Sequence, residues 1–501
     1  MFRLRDLSID TFHETVVFIH ERAVHAGQLG FRPLDRVRVV GTHPESGARR
    51  EIGGILNFCT DDLLAPDEIG LSRLAFVELA LPQGTPVTAT LMPAPASVDL
   101  VRHKLGGGRL ERDAFDAILR EIVEHRYSKV ELSMFVLACA LRRLDLDELT
   151  DLTRAMIDCG TSLAFGAGPI ADKHCVGGVP GNRTTMIVVP ILAACGVTVP
   201  KTSSRAITSP AGTADTMGVL AEVALAPRRM HEVVSKVGGC IAWGGALGLA
   251  PADDILITVE RPMGVDTEAQ MVASILAKKK TAGATHALID VPLGETAKVR
   301  SHEEAEYLSG LFHAVARSIG LGVEVLVTEA HAPIGRGIGP RLEALDVLAV
   351  LRRDADAPSD LREKSLYLAA RILEMVGAAA PAEGYRRARE ALDAGDALRK
   401  FDEIVDAQGR REPPPAAPHR IELGAPADGR IRAVDCWAMA KIAKLAGAPA
   451  TPAAGIWLRR SAGDVVSRGE PLFEIHAQTG DPLRFAREYA EAHPEIYSFG
   501  Y

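Results

Sequence analysis

DKHCVGGVPGNRTTMIVVPILAACGVTVPKTSSRAITSPAGTADTM, residues 172–217, is the stretch around which the rest of the chain is organised. Lys173 and His174 come just before glycines 177, 178 and 181, so two polar donors are followed by a sharp loop. Glycine lets backbone N–H groups turn toward an anion with no Cβ in the way. The loop leads into TTMIVVPILAA, read as a buried helix whose N-terminus favours negative charge. No GxxxxGK[ST] occurs, so this is not a Walker loop. Thr184, Thr185, Ser203, Ser204, Thr208, Ser209 and Thr213 crowd around Arg205. Any one of these hydroxyls can be read as turn or capping chemistry. His174 also reads as a structural histidine, and Arg205, Asp215 and Asp266 as surface charges or members of ion pairs. Taken together, two hydroxyl clusters joined by one apolar helix, with Lys and Arg beside them, point to an oxyanion site next to a hydrogen-bond donor.

Beyond this stretch, short apolar runs alternate with helical periods. HALIDVP (286–292) and VEVLVTE (323–329) read as strands of a sheet covered on both faces. EAQMVASILAKKKTAG (268–283) and SHEEAEYLSGLFHAVARSIGLG (301–322) read as amphipathic helices. Strands alternating with helices predict an α/β sheet, at least partly parallel. Upstream, DAFDAILREIVEHRY, KVELSMFVLACALRRL and DLDELTDLTRAMIDCG carry the helical period three times within 100–158. Residues 1–88 are β-rich: DRVRVVG (35–41) and GTPVTATLM (84–92) alternate as strands, and PDEIGLSRLAFVELAL (66–81) predicts a helix between them. PAPASVD (93–99) and PPPAAPHR (413–420) read as connectors. After the second, Gly-punctuated short strands surround one helix, DCWAMAKIAKLAGAP.

The expected fold is α/β and multidomain: a small helical domain, a large α/β domain with a mixed sheet, an extra N-terminal β-rich domain and a C-terminal α+β domain. The expected boundaries are 1–88 for the barrel-like N-terminal domain, and 95–165 plus about 262–284 for the helical domain. The α/β domain takes 166–261 plus 285–412, and the C-terminal domain 421–501.

Composition narrows the function. The chain has 501 residues, net charge −8 and no long Lys/Arg run, which disfavours a nucleic-acid partner. MFRLRDLSIDTFHE lacks the apolar core of a signal peptide, and no apolar run reaches the roughly 20 residues of a membrane span. Seven scattered cysteines without a CxxC pair argue against a zinc site and against a disulfide framework. A cytoplasmic protein is expected, with no metal, no membrane association and no cofactor other than phosphate as co-substrate.

DKHCVGGVPGN, followed by P-x-TSSRAITSxAGTAD at 200–215, resembles the phosphate-site signature of the thymidine/pyrimidine-nucleoside phosphorylase family. The wording is most similar to the archaeal-type branch, which includes AMP phosphorylase and bacterial proteins named as thymidine phosphorylases. ASILAKKKTAGATHALIDVPLGETAKV (273–299) resembles the family's base-binding helix and following strand, and TEAHAPIGRGIGPRLEALDVL (328–348) extends the likeness. The resemblance implies phosphorolysis, in which phosphate attacks C1′ of a riboside or deoxyriboside and the base leaves. It implies that Lys173, Thr185, Ser203 and Thr213 bind phosphate and that His174 donates to a base carbonyl. It implies that Ser274 and Lys278 meet the base. In the AMP-phosphorylase-like branch, Gly178, the run Ser204, Arg205, Ala206, Ile207, Thr208 and Ser209, then Thr213, Ser274 and Lys298 match nucleotide contacts, and Asp266 matches a proton donor.

Two departures stand out. Cys175 replaces the serine after the histidine. The arginine that nucleoside phosphorylases place on the pyrimidine has no clean counterpart near Val259–Glu260, with Arg261 close by. The substrate is therefore either a pyrimidine nucleoside such as thymidine or a nucleoside 5′-monophosphate (AMP, CMP or UMP), the latter giving ribose 1,5-bisphosphate. A phosphoribosyltransferase is a weaker fit, since TSSRAITSPAGTAD offers only Asp215 for a metal diphosphate. A non-catalytic nucleotide-binding protein is the remaining alternative. The resemblance also implies a homodimer or larger homo-oligomer, and a hinge near 160–168 (GTSLAFGAG) that closes a helical domain and an α/β domain over two substrates.

Overall fold

The computed structural model describes residues 1–11, 14–23, 30–206, 209–265 and 267–500. They divide into two compact units: Met1–Cys159 with Ala250–Ala273, and Gly160–Leu249 with Ser274–Tyr501.

In the first unit six strands close a barrel: β1 (Phe2–Asp6), β2 (Val16–His20), β3 (Arg36–Thr42), β4 (Arg49–Cys59), β5 (Glu68–Leu71) and β6 (Pro86–Leu91). Their order is β1-β5-β2-β4-β3-β6. Strand alternation turns Val37 and Val39 inward, where they meet Leu4, Val17, Ile19, Leu56 and Ile69. The helix expected over 66–81 is part strand. β5 pairs in parallel with β1 and antiparallel with β2, and these ladder bonds complete the barrel. The helix Arg73–Leu79 begins only after Ser72, whose Oγ accepts the Val16 N–H at 3.1 Å.

The helices Val98–Leu105, Arg112–Val123, Lys129–Leu141 and Leu146–Asp158 follow. Lys129–Leu141 and Leu146–Asp158 start at reciprocal caps, Ser128 with Glu131 and Asp145 with Glu148. Phe115, Ile118, Phe135 and Leu152 are buried. Residues 251–261, expected in the α/β domain, instead form the helix Pro251–Met263, which packs on Arg112–Val123 and Lys129–Leu141. The segment returning to the helical unit is therefore Ala250–Ala273 and not 262–284. DILITVE is rich in β-branched residues, yet Leu256 and Val259 sit three apart and are buried, and Asp253 and Asp254 favour a helix start.

The second unit holds β7 (Ala171–Cys175), β8 (Val199–Ser203), β9 (Gly239–Trp243), β10 (His286–Leu293) and β11 (Gly322–Glu329). β11-β10-β7 and β8-β9 are parallel sheets, linked by a parallel bridge between Ile170 and Thr198, and an antiparallel bridge joins Ala221 to Arg410. The helix Thr185–Ala194 runs between β7 and β8 and is buried from Thr185 to Ala193. β10 is buried along most of its length, as its uninterrupted apolar run predicts. β11 shares that pattern but is the edge strand and stays partly exposed.

Helices Pro340–Arg352, Ser359–Met375, Gly384–Asp393 and Asp396–Gln408 follow, then the connector 411–418, which has no regular structure. The C-terminal part forms two small sheets from β12 (Gly337–Ile338), β13 (His419–Gly424), β14 (Gly429–Val434), β15 (Gly455–Leu458), β16 (Val465–Val466), β17 (Pro471–Ala477) and β18 (Tyr497–Gly500). Their orders are β12-β15-β17-β13 and β16-β14-β18, and the helices Cys436–Leu445 and Gly480–Ala492 pack on them. No helix among the described residues is long and apolar enough to cross a membrane.

Candidate active site

β7 carries the start of the central motif, and its alternation sorts ADKHC onto two faces. Lys173 and Cys175 share one face, Asp172 and His174 the other.

On the first face Lys173 is 1 % exposed. Its Nζ donates to Thr184 Oγ1 at 2.9 Å and lies 3.5 Å from Asp290 Oδ2. Asp290 stands opposite Cys175 on β10 and also meets Lys364 Nζ at 3.2 Å, Thr328 Oγ1 at 2.8 Å and Asn182 Nδ2 at 3.3 Å. Burial alone would raise the Asp290 carboxyl, but Lys173 and Lys364 pull it below the usual aspartate range. The thiol of Cys175 is turned into this network. Its Sγ accepts the Gly177 N–H at 3.4 Å and Asn182 Nδ2 at 3.3 Å, and burial pushes its pKa up.

On the second face Asp172 accepts from Lys279 Nζ at 2.7 Å and lies 3.3 Å from Lys201 Nζ. Both lysines also donate to the Thr202 carbonyl. Burial drags Lys201 down to about 7 although Asp172 opposes it, and Lys279 adds to the fall. Burial, then Lys279, Lys201, Lys173 and Lys278, hold His174 well below the ordinary histidine value. The imidazole is therefore neutral at pH 7, with one N–H to donate and one nitrogen to accept.

Two glycines let the loop close on its neighbours. At Gly178 (φ +91°) an added Cβ would stand 2.4 Å from the Lys298 backbone nitrogen. At Gly181 (φ +73°) it would stand 2.0 Å from the Ile334 carbonyl. No other residue type fits either place.

The remaining candidate residues fall at the ends of elements. Thr185 opens its helix and is buried. Ser203 ends β8, with its Oγ donating to the Ser204 carbonyl at 3.3 Å. Thr213 opens the short helix Thr213–Gly218 and accepts from Arg183 Nη1 at 3.0 Å. Ser204 and Arg205 are exposed and Ala206 is half-buried. Arg205 lies over Trp243 at 4.9 Å and pairs with Asp215 at 3.2 Å. Asp215 also accepts the Ala206 and Gly212 N–H groups at 2.6 and 3.0 Å, so it staples the 204–206 loop to the next helix. Ser209 Oγ donates to the Ala211 carbonyl at 2.8 Å. Ser274 and Lys278 stand half-buried, one turn apart on the helix Glu268–Thr281. Ile207, Thr208 and Asp266 lie outside the described residues.

The structure thus gathers Lys173 with Thr184, Gly178 with Lys298, and His174 with the field of Lys278. It also adds residues that the motif reading passed over: Asp172, Asn182, Lys201, Lys279, Asp290 and Lys364. Each face of β7 sets two lysines against one carboxylate, leaving a positive excess that is smaller on the second face, where Lys201 is pulled down to about 7. Unmatched buried charge costs several kcal/mol per ion, and a bound dianion would remove that cost. Asp172, Asn182, Lys201, Lys279 and Asp290 lie inside the motifs already singled out, whereas Lys364 lies outside all of them.

Comparison with known proteins gives consistent matches. Residues 167–398 match the a/b domain of a glycosyl transferase family, and residues 98–160 its helical bundle domain. A protein of Polaromonas sp. named "Putative thymidine phosphorylase" is 49% identical over 98% of this chain and 95% of its own length. One of the same name from Methylococcus capsulatus is 46% identical over 97% of this chain and 94% of its own length. Among solved structures, anthranilate phosphoribosyltransferase from Thermus thermophilus matches with a TM-score of 0.52 and 21% identity, covering 62% of this chain and 99% of that one, which is a likeness of fold.

Proposed function

Because the chain belongs to the thymidine/pyrimidine-nucleoside phosphorylase family, a group of pentosyltransferases, we propose that it catalyses reversible phosphorolysis of a pyrimidine nucleoside, thymidine being the first candidate. The observation that carries this reading is the excess of buried lysine charge beside a glycine loop and a helix N-terminus.

In this reading Lys173, Thr185, Ser203 and Thr213 hold phosphate. A phosphate oxygen attacks C1′, the C1′–N bond breaks with its electron pair going to the base, and His174 donates a hydrogen bond to the base carbonyl as charge develops there. Asp266 protonates the leaving base. Ser274 and Lys278 orient the base from their shared helix face.

A second reading, a nucleoside 5′-monophosphate as substrate giving ribose 1,5-bisphosphate, is favoured by one observation. Gly178 brings the backbone at Lys298 against the loop, and elsewhere in the motif Ser204 and Arg205 are exposed, so polar groups beyond the buried lysines are open to a further phosphate group. Thymidine, uridine, AMP, CMP and UMP incubated with phosphate and assayed for free base separate the two. Release from thymidine or uridine supports the first, release from the monophosphates alone supports the second, and release from none rejects both.

A homo-oligomer is part of the proposal. The helix Lys129–Leu141 exposes Val130 (78%), Leu137 (37%) and Leu141 (70%) at spacings of seven and four, one apolar face suited to a second copy.

A further inference from the structure

The C-terminal sheet β12-β15-β17-β13 has two unlike faces. Ile421, Ile456 and Ile475 lie in register across three strands and face the apolar core under the helices Cys436–Leu445 and Gly480–Ala492. The alternate residues Arg420, Glu474, His476 and Arg459 therefore stand on the opposite face. Arg420 is the cross-strand partner of His476, and Gly455, on its other side, has no side chain. The connector is tied over this face: Arg341 Nε donates to the Pro414 carbonyl at 2.8 Å and Arg420 Nε to the Ala417 carbonyl at 3.2 Å.

His476 is 6 % exposed, and neither ring nitrogen has a hydrogen-bond partner. The nearest carboxylate oxygen, Glu474 Oε1, is 3.5 Å from Nε2, too poorly placed to accept, and Glu474 is already engaged by Arg459 at 3.0 Å. Burial keeps the imidazole below the ordinary histidine range, so it is neutral with one N–H to give. A buried polar group without a partner costs about 1–3 kcal/mol. The guanidinium groups of Arg420 and Arg459 share this face with the carboxylates of Glu474 and Glu422, and the positive charge of Arg341 also acts on the imidazole. One positive charge and one hydrogen-bond donor are left over.

We propose that this polar face of the C-terminal sheet, where the connector is tied to it, is a binding site for a small tetrahedral oxyanion, phosphate or the phosphate group of a sugar phosphate, held by His476, Arg420 and Arg341. It is built from residues other than those of the β7 cluster. It bears on that cluster through one helix. Arg341 and Glu343 share the first turn of Pro340–Arg352, and Glu343 Oε2 lies 2.6 Å from Nε of Arg183, which in turn holds Thr213. An anion held by Arg341 therefore sets the seating of a helix that braces the catalytic loop, as an effector would.

Equilibrium dialysis of the full chain with radiolabelled inorganic phosphate tests this. The expected stoichiometry is two equivalents per chain, falling to one in Arg420→Gln and in His476→Gln. Circular dichroism of Arg420→Gln should be unchanged, because that side chain is half-exposed. Lys173→Met should keep the equivalent bound at His476 and Arg420 and lose the other. Competition with ribose 5-phosphate against the remaining equivalent in Lys173→Met shows whether the site takes a sugar phosphate as well as the free ion. A single equivalent that Lys173→Met abolishes, or two equivalents retained in both Arg420→Gln and His476→Gln, would overturn the proposal.

Discussion

Each unit buries lysine against carboxylate, and the two do it differently. In the first unit Lys104 Nζ lies 2.7 and 2.8 Å from the two oxygens of Glu148, with both side chains 4% exposed. Glu148 also accepts the Leu110 N–H at 2.8 Å and completes the cap at Asp145. That pair is closed, with one cation, one anion and each oxygen used. In the second unit Lys173, Lys201, Lys279 and Lys364 share Asp172 and Asp290, and the balance is left positive. A balanced buried pair holds a fold together, while an unbalanced cluster favours a ligand of opposite charge.

The contrast breaks most visibly in paired substitutions. Lys173→Met should lower turnover about 1,000-fold, the order expected when a charged group contacting the reacting anion is removed. Its melting temperature should shift little, because Asp290 keeps Lys364, Thr328 and Asn182. Steady-state kinetics and a thermal melt on the same sample decide it. A large loss of stability with turnover per folded molecule preserved would make Lys173 a structural lysine like Lys104.

Lys104→Met should do the reverse. It strands a buried carboxylate at a cost of about 3–5 kcal/mol, while Lys104→Met with Glu148→Leu should recover most of that in denaturant titration. Recovery in neither variant would remove the one-to-one reading of the pair.

A smaller effect separates the clusters by pH. His174 has a folded pKa below its unfolded value of about 6.5. The unfolded chain then binds a proton that the folded chain refuses, so stability present above that pH is lost as pH falls through it. The slope is at most about 1.4 kcal/mol per pH unit. His476 contributes in the same direction, so the test is the difference between wild type and His174→Gln in denaturant melts from neutral to acid pH. A flatter curve for His174→Gln is expected, and superimposable curves would mean that neither burial nor the lysines depress this imidazole.

These clusters were unequally legible in the sequence. The helices at 112–158 and the strand at 286–293 follow from periodicity, because each is long and uniform. Glu68–Leu71 does not, since four residues closing a barrel carry too little pattern to outvote the helical spacing around them. Pro251–Met263 was obscured by its β-branched residues. In the site, Lys173, His174 and the glycines stood out because they fall within one short stretch of sequence. Asp172, Lys201, Lys279, Asp290 and Lys364 come from five separate elements, and only the fold brings them to one place. Within KKKT at 278–281 the consecutive lysines differ: Lys279 is buried on Asp172, Lys278 is half-buried with its charge acting on His174 alongside that of Lys279, and Lys280 donates to the Gly320 carbonyl, a division set by the helical turn. Cys175 marked a departure from the family signature, and its sulfur proves to be an acceptor that fixes Gly177 and Asn182.

The most direct measurement follows labelled inorganic phosphate into product while free base is counted. The expected result is one labelled sugar phosphate formed per base released, with no base released when phosphate is omitted, and loss of both in Lys173→Met. Base released without label, or label transfer that survives Lys173→Met unchanged, would contradict a phosphate site built on the unbalanced lysines gathered around β7.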